Sequence, residues 1–209
     1  MLETNQALAT PLAAASLPAS KCPRPTRAEA EAAVRTLIRW AGDDPGREGL
    51  VATPARVVRA YEEWFAGYQQ DPVKLLKRTF GEVGGYDDVV ILRDIPLQST
   101  CEHHMAAIRG VVHIAYQPRH RVVGISKLAR LVEVFGRRLQ IQERLTTEIA
   151  DALADTLQPR GLAVIVQASH ECLSSRGVRL HGVAMQTRRL LGEFAREPRR
   201  REVLTALAG

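Results

Sequence analysis

Apolar positions along the chain change period twice, and the changes divide it into helical and extended stretches. Thr26 can cap a helix whose apolar positions include Ala33, Leu37 and Trp40, with Gly42 and the Asp43-Asp44-Pro45-Gly46 turn ending it. Thr53-Pro54 is a second start signal, with Thr as N-cap and Pro at N1. The helix that follows puts Val57, Val58, Tyr61 and Phe65 on one face and stops at Gly67. Gly81 to Asp88 reads as a loop. Val89 to Leu97 and Val111 to Tyr116 are then rich in β-branched residues and predict strands bracketing a polar turn. Helical spacing returns in Ser126 to Phe135 (Leu128, Leu131, Val132, Phe135) and in Gln142 to Leu157 (Leu145, Ile149, Leu153, Leu157). Gly161 precedes a strand over Leu162 to Val166, a last strand is expected within Val178 to Thr187, and a short helix ends the chain. The order is β-β-α-α-β-β after N-terminal helices. Without regular β-α alternation, it predicts an antiparallel α+β domain.

The expected organisation is a flexible tail over residues 1–25, a helical region over 26–80, and an α+β catalytic domain over 81–209. At 209 residues the chain suffices for one compact domain with an extension. Residues Met1 to Ser20 contain no Lys or Arg and include Glu3, which makes a poor signal peptide. No apolar run approaches the ~20 residues of a membrane span. A cytoplasmic protein without membrane partners is therefore expected. Hydrophobic residues make up 45% and charged residues 25%, ordinary values for a globular chain. Of the +6 net charge, part lies in the run Arg196 to Arg201, read as a solvated helix end or tail. With aromatics at 5%, base stacking has few platforms, so nucleic acid is not expected as a partner.

Three widely spaced cysteines do not form a disulfide scaffold and point instead to metal or catalysis. Cys101-Glu102-His103-His104 offers a thiolate and an imidazole two residues apart, between two predicted strands. His170-Glu171-Cys172 follows another strand, where alternation would turn His170 and Cys172 to one face. Cys101, His104 and Cys172 make three ligands, one short of a closed structural zinc site. The spare His103 and His170 then suit proton transfer beside an open metal position. Either could also be structural, orient a ligand, or join as a fourth ligand that closes the site.

A second constellation is either ordinary exposed charge or an anion site. Ser126 opens a predicted helix with Lys127 and Arg130 close behind, cations that oppose the helix dipole unless an anion sits there. Arg56 repeats the pattern after Thr53-Pro54, and Arg176 follows Cys172. Glu143, beside Gln142, either stabilises a helix start or accepts two hydrogen bonds from a guanine edge. Its position alone does not choose.

Together these segments resemble GTP cyclohydrolase I. The likeness rests on Thr53-Pro54-Ala55-Arg56, Ser99-Thr100-Cys101-Glu102-His103-His104 and Val123 to Arg130. It continues through Gln140 to Thr146 and His170-Glu171-Cys172 to Arg176-Gly177, covering about residues 27–195 in order. The resemblance implies a T-fold module and conversion of GTP and water to 7,8-dihydroneopterin triphosphate and formate. It also implies one Zn2+ per subunit on Cys101, His104 and Cys172, and proton transfer by His103 and His170. Gln142 and Glu143 would recognise guanine, and Ser126, Lys127, Arg130, Arg176 and Arg56 the triphosphate. A homodecamer with sites shared between subunits is implied too, which leaves allosteric control and the pathway using the product open. A diverged pterin or deazapurine enzyme on the same fold, or a structural-zinc nucleic-acid module, is the alternative. The segment after Gly177 departs from the family: its Ser/Thr-rich run is reduced to Thr187, and His181 is unexpected.

Overall fold

A computed structural model describes residues 23–77, 79–80 and 86–208. Most of the expected tail and part of the Gly81–Asp88 loop lie outside the described residues. Helix α1 (Arg27–Trp40) begins with a reciprocal cap. The Thr26 hydroxyl accepts from the Glu29 amide at 3.3 Å, and the Glu29 carboxylate accepts from the Thr26 amide at 2.7 Å. The helix packs along α2 (Thr53–Trp64), yet none of its residues is buried. At α2 the expected cap is corrected. Ala52 is the N-cap and already has right-handed helical geometry, so Thr53 falls inside the helix and its hydroxyl turns back to the Gly49 carbonyl. The helix also ends earlier than expected, at Trp64, followed by a 3-10 turn over Ala66–Gln69. Gly67 is required in that turn, because a Cβ would lie 2.1 Å from the Val134 carbonyl oxygen.

Asp71 caps the short α3 (Pro72–Leu76), whose Leu76 is fully buried in the main core. Strand β1 (Thr79–Phe80) pairs with β4 (Val122–Val123) in a separate two-stranded sheet. The main sheet is built from β2 (Val90–Cys101), β3 (Ala107–Gln117), β6 (Gly161–His170) and β7 (Met185–Gly192), all antiparallel. A two-residue strand, β5 (Leu139–Gln140), adds a parallel edge beside Thr100 and Cys101, giving the order β5-β2-β3-β6-β7. Between β3 and β6 come α4 (Ile125–Gly136) and α5 (Gln142–Leu157). A short α6 (Glu171–Ser174) follows β6, and a 3-10 turn with α7 (Arg199–Ala208) closes the chain.

Helices α4 and α5 cover one sheet face. Leu128, Leu131, Leu145, Ile149 and Leu153 there meet Ile108, Val112, Ile114, Tyr116 and Val164, all essentially inaccessible. Each such side chain contributes about 1.5–3 kcal/mol by leaving water. On the other face Ala115, Ala163 and Ile165 pack with Phe194, Val203 and Leu207 of the C-terminal segment. The basic run begins α7, where Arg199 bridges Glu202 and the Gln117 amide oxygen.

The last strand is a second correction. It begins at Met185 and runs to Gly192, beyond the expected Val178–Thr187. Gly177, Arg179 and Gly182 take positive φ, which breaks extended pairing, and Val178, Leu180 and Val183 stay exposed. Pairing with β6 resumes where Met185 meets Ala168, and Leu190 and Leu191 then find apolar cover.

Candidate metal centre and anion face

Cys101 is the last residue of β2, and a tight turn follows it. The Cys101 amide donates to the Ala106 carbonyl and the Met105 amide to the Cys101 carbonyl, both at 2.8 Å, with Met105 at φ 53°. That closure lifts His103 and His104 to the tip. The Glu102 amide donates to the Gln140 carbonyl at 3.0 Å, and its carboxylate is ion-paired to Arg144. Arg144 also donates to the Gln140 side-chain oxygen at 3.0 Å and the Leu139 carbonyl at 2.9 Å. Buried Gln140 in turn donates to the Phe135 carbonyl and to Glu148. The metal turn is thus clamped to the start of α5. Sequence reasoning gave Glu102 and Arg144 no role; the available signal was an Arg one helical turn beyond Gln140.

Cys172 arrives from another element. Strand β6 ends at His170, so Cys172 stands in the first turn of α6 rather than on a continued strand. The alternation expected for His170 and Cys172 does not apply past that point. Even so, the ligand atoms of Cys101, His104 and Cys172 all lie within 4.8 Å of one another, and Cys101 Sγ is 3.9 Å from His104 Nδ1. Tetrahedral sites with ordinary bond lengths separate sulfur and nitrogen donors by roughly 3.5–3.8 Å, so the three donors stand near the spacing a bound metal ion needs. Burial pushes the Cys172 thiol up, the Cys101 sulfur adds to this, and Arg176 opposes it. A cation among the three donors would favour the thiolate form.

Beside the triad, His170 Nε2 is 2.8 Å from Gln142 Oε1. Burial holds the His170 pKa below its ordinary value, while the charge of Glu143 pulls the other way. His103 is mostly exposed, its Nε2 4.0 Å from a Glu102 carboxylate oxygen, with its ring nearly perpendicular to that of His104. Glu143 is exposed with no side-chain partner among the described residues. Gln142 differs from the expectation of a substrate contact. It is 1% exposed, and its amide is fully engaged within the chain.

The expected anion group is spread over two helices and the loop after α6. Ser126, Lys127 and Arg130 lie in the first two turns of α4, but Gly124, not Ser126, is the N-cap. Arg56 lies in the first turn of α2 and Arg176 just beyond α6. Among the described residues none of these five side chains has a hydrogen bond or ion pair, and Ser126, Arg56, Arg130 and Arg176 are exposed. The charge of Arg176 reaches the metal triad, where it favours the Cys172 thiolate. A groove of about 840 Å³ along β2 runs from Arg130 past Ser99 to Met105 and Glu171, near the metal turn. Among the described residues, no helix is long and apolar enough to cross a membrane.

Residues 30–208 match the family model of GTP cyclohydrolase I. GTP cyclohydrolase 1 of Maricaulis maris (strain MCS10) is 57% identical over 181 residues, 87% of this chain and 88% of that protein. GTP cyclohydrolase 1 of Hyphomonas neptunium (strain ATCC 15444) is also 57% identical, over 171 residues, 82% and 83% of the two chains. A crystal structure of the archaeosine synthase QueF-Like in the apo form is similar at 19% identity and a TM-score of 0.42, spanning 50% of this chain and 93% of that one. On the family match and the two relatives, this chain belongs to the GTP cyclohydrolase I family.

Proposed function

We propose that this enzyme converts GTP and water to 7,8-dihydroneopterin triphosphate and formate, with Zn2+ held by Cys101, His104 and Cys172. The observation that carries the reading is the convergence of those three donors, with two further histidines beside them and, among the described residues, no fourth protein ligand. When bound, zinc supplies Lewis acidity that lets water attack guanine C8 at neutral pH. His170 is half-buried and held by one hydrogen bond, and it moves protons at the purine ring as the C8–N bonds break. His103, exposed at the turn tip, serves the later proton transfers that rearrange the ribose and close the pterin ring. The free carboxylate of Glu143 accepts the N–H and NH2 edge of guanine. Ser126, Lys127, Arg130, Arg176 and Arg56 have no side-chain partners among the described residues and are suited to the triphosphate.

Lys127 and Arg130 lie on α4 and Arg56 on α2. The proposed assembly is the homodecamer implied by the family, in which neighbouring subunits complete each other's sites. A cytoplasmic setting fits reduced, metal-binding thiols. The domain reading that fits best takes residues 81–209 as the catalytic T-fold, with the helical region of 26–80 joined to it through Leu76 and Gly67. The test is to incubate the zinc-loaded protein with GTP, measuring formate and the fluorescent pterin formed on oxidation. One formate per pterin is expected. Protein carrying one zinc per chain that releases no formate would refute the reading.

A further inference from the structure

The Gln142 side chain lies between His170 and β7, and every hydrogen-bonding atom around it can be assigned a direction. Its Nε2 is 3.1 Å from the Val166 carbonyl oxygen, 3.0 Å from that of Met185 and 3.2 Å from Thr187 Oγ1. Backbone carbonyls only accept, so the amide nitrogen must face them, whichever way round an amide is first drawn. Gln142 Oε1 therefore faces His170 Nε2 at 2.8 Å, and an amide oxygen only accepts. The proton in that bond belongs to His170 Nε2. In the neutral ring Nδ1 then carries the free lone pair.

The hydroxyls around Gln142 agree with this assignment. Thr146 Oγ1 donates to the Gln142 backbone carbonyl at 2.7 Å. With that hydrogen used, the 2.6 Å contact between Thr146 and Thr187 requires Thr187 to donate. Thr187 Oγ1 is left as an acceptor facing Gln142 Nε2. The chain of bonds is consistent from β7 through α5 to the end of β6, with no donor facing a donor. Because Gln142 is 1% exposed, it has no free face for a substrate.

We infer that Gln142, backed by Thr187 and Thr146, is a positioning residue that fixes His170 as its Nε2–H tautomer, so that Nδ1 is the atom exchanging protons with the substrate. This rests on the proposed GTP reaction for its catalytic meaning, but the tautomer itself can be read without substrate. The experiment is magic-angle-spinning NMR of the zinc-loaded full chain labelled with 15N-histidine, the His170 signals being assigned by their loss in His170→Asn. The expected spectrum has a protonated Nε2 and an unprotonated Nδ1 for His170, with no GTP present. An Nδ1–H tautomer would overturn the inference.

Kinetics provide the second arm. Gln142→Met, similar in shape but unable to accept, is expected to lower kcat for formate release about 10- to 100-fold. KM for GTP should stay within about twofold, and zinc content should not change. Thr187→Val is expected to show a smaller loss of the same kind, which Thr187→Ser restores. A raised KM with unchanged kcat in Gln142→Met would make Gln142 a substrate contact and refute the positioning role. If the parent releases no formate from GTP, the functional reading fails while the tautomer result stands. Turnover of GTP by a protein with the opposite tautomer sinks this inference alone.

Discussion

The metal end and the anion face treat their polar groups in opposite ways. Around the Cys101 turn, Glu102, Arg144, Gln140, Gln142, Thr146, Thr187 and His170 are all joined in hydrogen bonds across α5, β5, β6 and β7. On α2, on α4 and after α6, Arg56, Ser126, Lys127, Arg130 and Arg176 have no side-chain partner among the described residues. Under the proposed function, the groups that would hold an ion and a base are immobilised by their neighbours. The groups that would meet a mobile, highly charged substrate have no internal ion pair that would have to be broken first. The contrast is the one expected if the two regions divide machinery from recognition.

The largest expected effect comes from breaking the immobilised end. Cys172→Ser should lose the ion, measured by metal analysis of the purified protein, and formate release should fall to under about 1% of the parent. Retained zinc with full turnover would remove Cys172 from the ligand set. On the unpaired face, Lys127→Ala or Arg130→Ala removes a hydrogen bond between charged groups, worth about 1.5–3 kcal/mol. Steady-state kinetics should show kcat/KM for GTP falling roughly 10- to 150-fold with zinc content unchanged. Zinc loss in either variant would erase the distinction between the two regions.

Arg144→Leu sharpens the comparison from the other side. It leaves the Glu102 carboxylate unpaired and the metal turn free of α5, so zinc affinity should drop about tenfold in a chelator titration, with KM for GTP little changed. The smallest effect is expected in α1, which belongs to neither region. Trp40 is 88% exposed, so Trp40→Ala should alter the stability of an isolated chain by no more than about 0.5 kcal/mol in urea unfolding. A loss several times larger, dependent on protein concentration, would mean that another copy covers this helix.

Legibility in the sequence followed the range of the forces involved. Helices α4 and α5 could be read from the spacing of Leu128 to Phe135 and Leu145 to Leu157, since one apolar stripe against one sheet leaves little choice. The three donors stood out because Cys and His at such spacing have few other uses. The last strand could not be read, since Val178, Leu180 and Val183 look extended while the positive φ of Arg179 and Gly182 depends on the turn around them. The burial of Gln142 was hidden for a related reason. Beside Glu143 the residue resembles a second recognition group, and only the approach of β7 shows that its amide faces inward. The Glu102–Arg144 pair was equally hidden, because the two residues meet only through the sheet's β5 edge.

The division of labour is tested most directly by offering the zinc-loaded protein GTP and guanosine in parallel and measuring formate release from each. If the unpaired cations bind the triphosphate, several charge-assisted contacts are lost with guanosine, and its kcat/KM should be lower by at least about 1,000-fold. Guanosine turned over within about tenfold of GTP would contradict the account, because the free cations of α2 and α4 would then have no part in holding the substrate.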